Sequence, residues 1–291
     1  MNYPELDEMQ TAFTKNDTLR DQGLKEPEQL IKYRNLCYGP YGIENRLDIY
    51  YPTNTTHALP TIVSIHGGGF FYGDKERYRF YTMFLATQGF TVVNVNYRLA
   101  PTHRYPAPLE DINQVMNWLI MHAPTYFIDL DHLFLLGDSA GGQLVEQYAT
   151  IISNPAYGAL FAFTPASVTF KALALNCGVY FMEPGHTGEL SFPYYFPEII
   201  TPAIQAQFPV EQFLTANYPP TFVMTARHDF LKDLAQPLVD QLKQQQVQTI
   251  YHLYEPTDGA RLEHVFHIDQ KSSYAKTCNL DEVHFFQTFC H

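Results

Sequence analysis

A serine flanked by small residues is the first feature of this sequence that could do chemistry. Ser139 lies in the segment GDSAG, between the apolar run LFLL and the helix-like run QLVEQYA. Glycine two positions to either side of the serine allows a sharp turn from strand to helix, on which the hydroxyl is exposed. The start of a helix also supplies free backbone N–H groups and a partial positive charge. This spacing predicts a nucleophilic serine, although a glycine-rich turn without chemistry also fits the motif taken alone.

A second glycine motif, HGGGF at His66–Phe70, follows the apolar segment TIVSI. Three successive glycines are costly in chain entropy and bury no side chain, which favours a role for their backbone. Acyl transfer needs N–H donors about 3 Å from the developing oxyanion, and a glycine run offers them without a side chain in the way. The residue after the nucleophile, Ala140, supplies a further N–H group. The alternative is a flexible loop, which the position directly after a strand disfavours.

Runs rich in β-branched and aromatic residues alternate with longer helical patterns along the chain. The predicted strands are Leu47–Tyr51, Thr61–His66, Thr91–Tyr97, Leu133–Gly137, Ala172–Gly178, Thr221–Ala226 and Thr249–Tyr254. The predicted helices are Tyr78–Thr87, Leu109–His122, Gly142–Ile152, Leu231–Gln245 and Asp281–Cys290. This alternation predicts βαβ units, and hence an α/β fold with a mostly parallel sheet.

Two segments do not follow this alternation. Residues 1–45 are polar and weakly helical, whereas residues 181–218 are rich in aromatic residues and proline. Open α/β sheets place their sites at the carboxyl edge of the strands. We expect residues 181–218 to form a lid or cap over that edge, because long irregular loops in compact domains are usually functional. An ordinary surface excursion is the alternative.

Several motifs together resemble the hormone-sensitive-lipase-like branch of the α/β-hydrolases. They are HGGGF, YRLAP at Tyr97–Pro101, YPAPLED at Tyr105–Asp111, GDSAGG at Gly137–Gly142, DFLKD and the final HVF. The resemblance runs from about Leu47 to about His267. It implies an α/β-hydrolase fold, with an eight-stranded, mostly parallel sheet, helices on both faces and a small cap. The chain is then one domain, residues 1–291, with cap elements at about 1–45 and 181–218.

The same resemblance carries expectations about activity. Members of this branch are carboxylesterases that act on short-chain acyl esters without a cofactor. The resemblance selects Gly68 and Gly69, rather than Gly67, as the oxyanion donors beside Ala140. Many esterases of this kind form homodimers, so the resemblance allows a homodimer here.

The acid that supports the serine should follow it in the chain and precede the histidine. Asp229 ends the strand pattern TFVMTARHD, where a strand end would direct its side chain into the site. Asp233 and Asp240 fall inside the next helical pattern, where a helix-start charge or a solvated face is the simpler interpretation. We therefore predict Asp229 as the acid.

The base is expected in the loop after the last strand. His264 lies there, and the resemblance selects it because it precedes the Val-Phe pair. His228 and His267 are interpreted as structural or surface residues. Val265 stands where the family usually has glycine, and we expect this difference to change the shape of the pocket. The predicted triad is Ser139, His264 and Asp229.

Composition excludes several classes of function. The 291 residues carry 18 Lys+Arg and 30 Asp+Glu, a formal net charge of −12, with no basic cluster, so nucleic acid and anionic membrane are poor partners. The most apolar long stretch, 159–182, is interrupted by proline, lysine and asparagine and does not predict a membrane span. The first residues lack the basic and apolar regions of a signal peptide, and the four cysteines form no CxxC pattern. We expect a cytoplasmic protein with reduced thiols and no bound metal.

The sequence thus predicts a serine carboxylesterase for small, uncharged or weakly polar esters. One alternative is an amidase-type hydrolase, such as an arylformamidase or a peptidase, that uses the same triad. Another is a non-catalytic small-molecule receptor, since similar folds in plants bind a hormone after losing the histidine. The retention of His264 disfavours the receptor.

Overall fold

One eight-stranded sheet organises the computed structural model, which describes residues 3–182 and 193–291. The strands are β1 (Leu30–Cys37), β2 (Arg46–Pro52), β3 (Leu59–Ile65), β4 (Thr91–Val95), β5 (Ile128–Asp138), β6 (Phe170–Asn176), β7 (Thr221–Ala226) and β8 (Thr249–Tyr254). Their order across the sheet is β1-β2-β4-β3-β5-β6-β7-β8. The pairs β1/β2 and β2/β4 are antiparallel, and the other five neighbouring pairs are parallel. The predicted α/β fold with a mostly parallel sheet is confirmed.

Burial explains why the central strands form. Every residue of β4 is buried, as are the last five residues of β3. Strands covered on both faces are continuously apolar or β-branched, which is the pattern of TIVSI and TVVNV. Helices cover the two faces of the sheet. The helices α3 (Ala107–His122), α4 (Ala140–Ser153) and α7 (Lys232–Gln244) pack on one face, and α2 (Lys75–Thr87) and α8 (Ser273–Gln287) pack on the other.

Residues 1–45 contain a strand that the sequence pattern did not predict, and their role as a cap element stays a prediction. Part of this polar, weakly helical segment is strand β1, which pairs with β2 at the edge of the sheet and belongs to the main domain. Among residues 3–45, the helix is Pro4–Asp21, α1. Helix α8 also differs from its prediction, because it begins at Ser273 rather than at Asp281. The hydroxyl of Ser272 accepts a hydrogen bond from the Ala275 amide and caps this earlier start.

Helix α1 lies over the carboxyl edge of the sheet and is held there by polar contacts. Gln10 Nε2 donates to the Phe71 carbonyl at 2.8 Å, and Tyr72 Oη donates to Asp17 at 2.7 Å. Arg20 also reaches the Arg77 carbonyl, at 2.7 Å. None of the helices that the structure describes combines the length and apolarity that a bilayer crossing requires.

The predicted insertion at 181–218 is described only in part, because residues 183–192 lie outside the described residues. Its later portion contains the single turn α6 (Pro202–Gln205), and a second single turn, α5 (Pro155–Gly158), precedes β6. Tyr195 is buried against the body of the protein, where its ring stacks on Phe70 at 3.8 Å. That the whole insertion acts as a cap stays a prediction.

Candidate active site

Ser139 lies on the sharp turn that the GDSAG spacing predicts. Strand β5 ends at Asp138 and helix α4 begins at Ala140, so Ser139 is the only residue between them. Its backbone has φ 52° and ψ −119°, a conformation that L-residues seldom adopt. The small neighbour is required sterically, because a Cβ at Gly141 would lie 2.1 Å from the Ile65 carbonyl oxygen. The local sequence therefore permits a turn that exposes the serine hydroxyl.

The structure brings together the three side chains of the predicted triad. His264 Nε2 lies 2.9 Å from Ser139 Oγ, and His264 Nδ1 lies 2.7 Å from Asp229 Oδ1. With the Nδ1 proton directed at the carboxylate, Nε2 is left as the acceptor for the serine hydroxyl. This arrangement can move a proton from the hydroxyl to the ring, which is the requirement for a nucleophilic serine.

Asp229 is fixed by further hydrogen bonds. Its carboxylate accepts from the Leu231 amide at 2.9 Å and from Thr225 Oγ1 at 2.8 Å, and the residue is 2% exposed. Burial alone raises its pKa, but the hydrogen bond and the charge of His264, helped by the Leu231 amide, outweigh burial and hold the pKa below its usual value. Asp229 is therefore an anion at neutral pH.

The acids and histidines that the sequence analysis did not assign to the triad make none of its hydrogen bonds. Asp233 and Asp240 are exposed on α7, as their position in a helix predicts. His228 is exposed and lies at the rim of the cavity above Ser139, which is described below. His267 is buried and contacts the edge of the Tyr81 ring.

The glycine loop faces the serine. The Gly67 amide is already used, because it donates to Tyr78 Oη at 2.9 Å and to Asp138 at 3.2 Å. Across the part of the chain that the structure describes, no protein acceptor is found for the amides of Gly68, Gly69 and Ala140, and all three residues line the pocket. Gly68 has φ 117°, and a Cβ there would lie 2.1 Å from the Tyr72 carbonyl oxygen. Only glycine fits this position.

A cavity of about 770 Å³ opens above these groups. Seven phenylalanine and tyrosine residues contribute to its walls: Phe13, Phe71, Tyr72, Tyr78, Tyr194, Phe230 and Phe266. Phe230 also lies against the ring of His264, with 4.4 Å between the centroids. Of the three aromatic residues that follow the glycine run, Phe71 and Tyr72 line the cavity, whereas Phe70 is buried in the core.

Two sets of side chains at the site were not predicted individually from the sequence. Helix α1, part of the segment 1–45 that the resemblance assigns to a cap, lines the cavity with Met9, Phe13 and Arg20, among others. Cys177, the first residue after β6, lies beside Asp229 and His264. Burial, followed by the charge of Asp229, raises the pKa of the Cys177 thiol well above its usual value. An isolated cysteine carries no motif, so only its place at a strand end could have indicated its position.

Known proteins share this fold and parts of this sequence. A family model described as the alpha/beta hydrolase fold matches residues 62–267. A probable carboxylic ester hydrolase of Mycobacterium tuberculosis, LipM, is 28% identical over 76% of this chain and 54% of its own length. A versiconal hemiacetal acetate esterase of Dothistroma septosporum is 29% identical over 73% of this chain and 69% of its own length. The chain thus spans only about half to two thirds of these two relatives.

A solved structure covers nearly the whole of both chains. Esterase B of Lactobacillus rhamnosis, crystallised with a tributyrin phosphonate inhibitor, is 25% identical, with a TM-score of 0.89. The alignment covers 99% of this chain and 94% of esterase B.

Proposed function

This chain belongs to the α/β-hydrolase family, in its hormone-sensitive-lipase-like carboxylesterase branch, and we propose that it is a serine carboxylesterase for short-chain acyl esters. One observation carries the proposal. The hydrogen-bonded chain from Ser139 through His264 to Asp229 lies under a cavity that also presents backbone amides. A hydroxyl, a base, an orienting acid and amide donors are the parts that acyl transfer needs.

Each triad member has a distinct role in the proposed reaction. His264 Nε2 accepts the proton of Ser139 as Oγ attacks the acyl carbon of the ester. The Asp229 carboxylate accepts the hydrogen bond from the protonated Nδ1 and stabilises the imidazolium that forms. The lowered pKa of Asp229 agrees with this role, because it keeps the carboxylate ionised. His264 then gives the proton to the departing alcohol, which leaves an acyl-enzyme on Ser139. Water hydrolyses this intermediate by the same proton path.

The oxyanion of each tetrahedral intermediate is proposed to bind the amides of Gly68, Gly69 and Ala140. The hydrogen bonds of the Gly67 amide to Tyr78 and Asp138 favour this choice over Gly67. The buried Asp138 thereby has a supporting role, because it fixes the loop rather than contacting the ester. Amides positioned in advance stabilise charge that develops only during the reaction.

The nucleophile is tested by Ser139→Ala. Because the alanine variant lacks the attacking oxygen, we expect kcat for p-nitrophenyl acetate to fall by about 10⁴- to 10⁶-fold. Labelling by a fluorophosphonate probe should disappear as well. Ser153→Ala is the matched control, since it removes a hydroxyl at the other end of the same helix, and it should keep both signals. Retention of most esterase activity by Ser139→Ala would show that another residue is the nucleophile.

Substrate size follows from the walls beside the oxyanion loop. A Cβ at Gly69 would lie 2.9 Å from the Phe71 ring and 3.5 Å from Tyr194 Oη, so aromatic groups limit the space there. The tributyrin phosphonate that inhibits the related esterase B also favours short acyl groups. We expect kcat/KM for p-nitrophenyl butyrate to exceed that for the decanoate by about tenfold or more.

A parallel assay separates the ester from the amide reaction. An acyl anilide of equal acyl length should react far more slowly than the p-nitrophenyl ester. Faster turnover of the anilide than of the ester would favour the amidase alternative. In the chain-length assay, faster turnover of p-nitrophenyl decanoate than of the butyrate would contradict the short-chain assignment.

A further inference from the structure

Cys177 forms a compact group with two members of the triad. One ligand atom from each of Cys177, Asp229 and His264 lies within 4.8 Å of the other two: a sulfur, a carboxylate oxygen and a ring nitrogen. Cys177 and Asp229 are buried, and the His264 side chain is 19% exposed. Within residues 3–182 and 193–291, no other three histidine, cysteine or acidic residues meet in this way.

The sheet fixes this arrangement. Strands β6 and β7 are parallel neighbours, so the residues that follow them emerge side by side. Cys177 directly follows β6, and its amide donates to the Met224 carbonyl of β7 at 2.8 Å. Asp229 lies three residues beyond the end of β7 and is held by Leu231 and Thr225. Two of the three groups are therefore attached to the rigid core, and the third is hydrogen-bonded to one of them.

The chemistry of the three groups suits a thiophilic divalent cation. Thiolate, imidazole and carboxylate are the protein ligands of Zn²⁺, at about 2.0–2.3 Å. Tetrahedral ligands at these lengths lie about 3.3–3.8 Å apart. The 2.7 Å between His264 Nδ1 and Asp229 Oδ1 must therefore widen by about 0.6 Å to admit the ion, and a separation of 4.8 Å within the group must shorten by about 1–1.5 Å. A thiolate and a carboxylate balance the charge of a divalent ion, which leaves a buried site without net charge. A water molecule can supply the fourth ligand, as in other zinc sites with three protein ligands.

We propose that Cys177, Asp229 and His264 bind a thiophilic divalent cation such as Zn²⁺ or Cd²⁺, and that the bound ion switches off the catalytic histidine. The Cys177 thiol loses its proton to solvent as the metal–sulfur bond forms. The ion replaces the proton on His264 Nδ1, and the neutral ring then carries its proton on Nε2. A protonated Nε2 cannot accept the proton of Ser139.

Inhibition rests on the proposed esterase mechanism, whereas binding of the ion does not. The experiment therefore measures both. The purified 291-residue chain, freed of metal with a chelator, is titrated with Cd²⁺ or Zn²⁺. Equilibrium dialysis gives the stoichiometry, ultraviolet absorbance reports the thiolate-to-Cd²⁺ charge transfer, and p-nitrophenyl acetate reports activity. We expect one ion per chain, a charge-transfer band that grows with occupancy, and an activity that falls in parallel and returns with chelator.

Three variants separate the possible outcomes. Cys177→Ser should lose the band and bind Cd²⁺ at least about tenfold more weakly, because a hydroxyl is a poor ligand for this ion. Cys278→Ser is the matched control, since it removes another buried thiol from outside the group, and it should keep binding and inhibition. Ser139→Ala should bind the ion and show the band although it hydrolyses no ester. This last variant distinguishes failure of the metal site from failure of the proposed function.

X-ray absorption at the zinc edge provides a measurement that needs no variant. It should show one sulfur at about 2.3 Å together with nitrogen and oxygen ligands at about 2.0–2.2 Å. The proposal is overturned if the protein takes up no ion, if no sulfur ligand is found, or if inhibition of Cys177→Ser requires the same Cd²⁺ concentration as the parent.

Discussion

Four of the eight non-glycine residues that have positive φ in the described parts of the chain lie in the segments that form the site. Phe70, Ser139, Cys177 and Val265 all have positive φ, between 48° and 67°. This conformation costs about 1–3 kcal/mol for a residue that carries a Cβ. Ser139 uses it to expose its hydroxyl between strand and helix, and Cys177 uses it directly after β6. At Ser139, the strained backbone therefore lowers the stability of the fold and at the same time exposes the hydroxyl.

Val265 allows this cost to be measured. It has φ 51° and ψ 32°, and it is a β-branched residue in the left-handed region, directly after His264. The strain explains why glycine is usual at this position in the family that the sequence resembles. We expect Val265→Gly to have a higher free energy of unfolding than Val265→Ala, by about 1 kcal/mol, in urea denaturation. Both substitutions remove the two γ-methyl groups of the valine, and only alanine keeps the Cβ.

A helical position provides the control for this pair. Lys276 is exposed on α8, where alanine should be more stable than glycine by about 1 kcal/mol. The order of the two variants is thus expected to reverse between positions 265 and 276. If glycine is the less stable residue at both positions, the backbone at Val265 is not strained.

At the scale of elements, the sequence predicted the strands that are buried on both faces. Strands such as β3 and β4 have continuous β-branched and apolar runs, because helices cover them on either side. Strand β1 was missed because it lies at the edge of the sheet. Its sequence, LIKYRNLC, is half exposed and carries Lys32, Arg34 and Asn35, so neither an alternating nor a continuous apolar pattern is visible.

The site was predictable to the extent that strand ends determine it. Ser139, Asp229 and His264 each follow a strand, and parallel strands bring such positions to one edge. The structure brings these side chains together, and their catalytic roles stay a prediction. Cys177 also follows a strand, but an isolated cysteine gives no signal until β6 and β7 are known to be neighbours. The wall formed by α1 depends on side-chain hydrogen bonds between distant segments, such as Tyr72 with Asp17, which a sequence pattern does not encode.

At the scale of the whole molecule, buried ionisable groups next to the site set how stability depends on pH. Burial raises the pKa of Asp138 and of Glu282 to about 7, although hydrogen bonds from Tyr78 and from Asn176 and Tyr81 act in the opposite direction. Each acid binds a proton in the folded state that it releases on unfolding, so its contribution to stability falls as pH rises to about 7.

Two buried histidines act in the opposite direction. Burial lowers the pKa of His66 to about 4 and that of His267 to about 3. Each takes up a proton on unfolding at mildly acidic pH, so its contribution to stability rises with pH until about 6.5. The opposing pH dependences of these acids and histidines therefore partly cancel in the stability of the parent protein. The contribution of a single acid is measured by comparing the parent with a variant that lacks that acid.

Glu282→Gln makes that comparison. Glutamine is uncharged at every pH and resembles the protonated acid, which is buried against Asn176 and Tyr81 at 2.6 and 2.8 Å. A carboxyl whose pKa rises from 4.5 to about 7 on folding changes the free energy of unfolding by about 3 kcal/mol over that interval. We expect the stability of the variant relative to the parent to increase by about 2–3 kcal/mol from pH 4.5 to 7.5 and to stay constant above, as measured by urea denaturation. Glu8→Gln, at an exposed position of α1, should show no such change. A difference that is flat across this range would mean that Glu282 is already ionised in the folded protein.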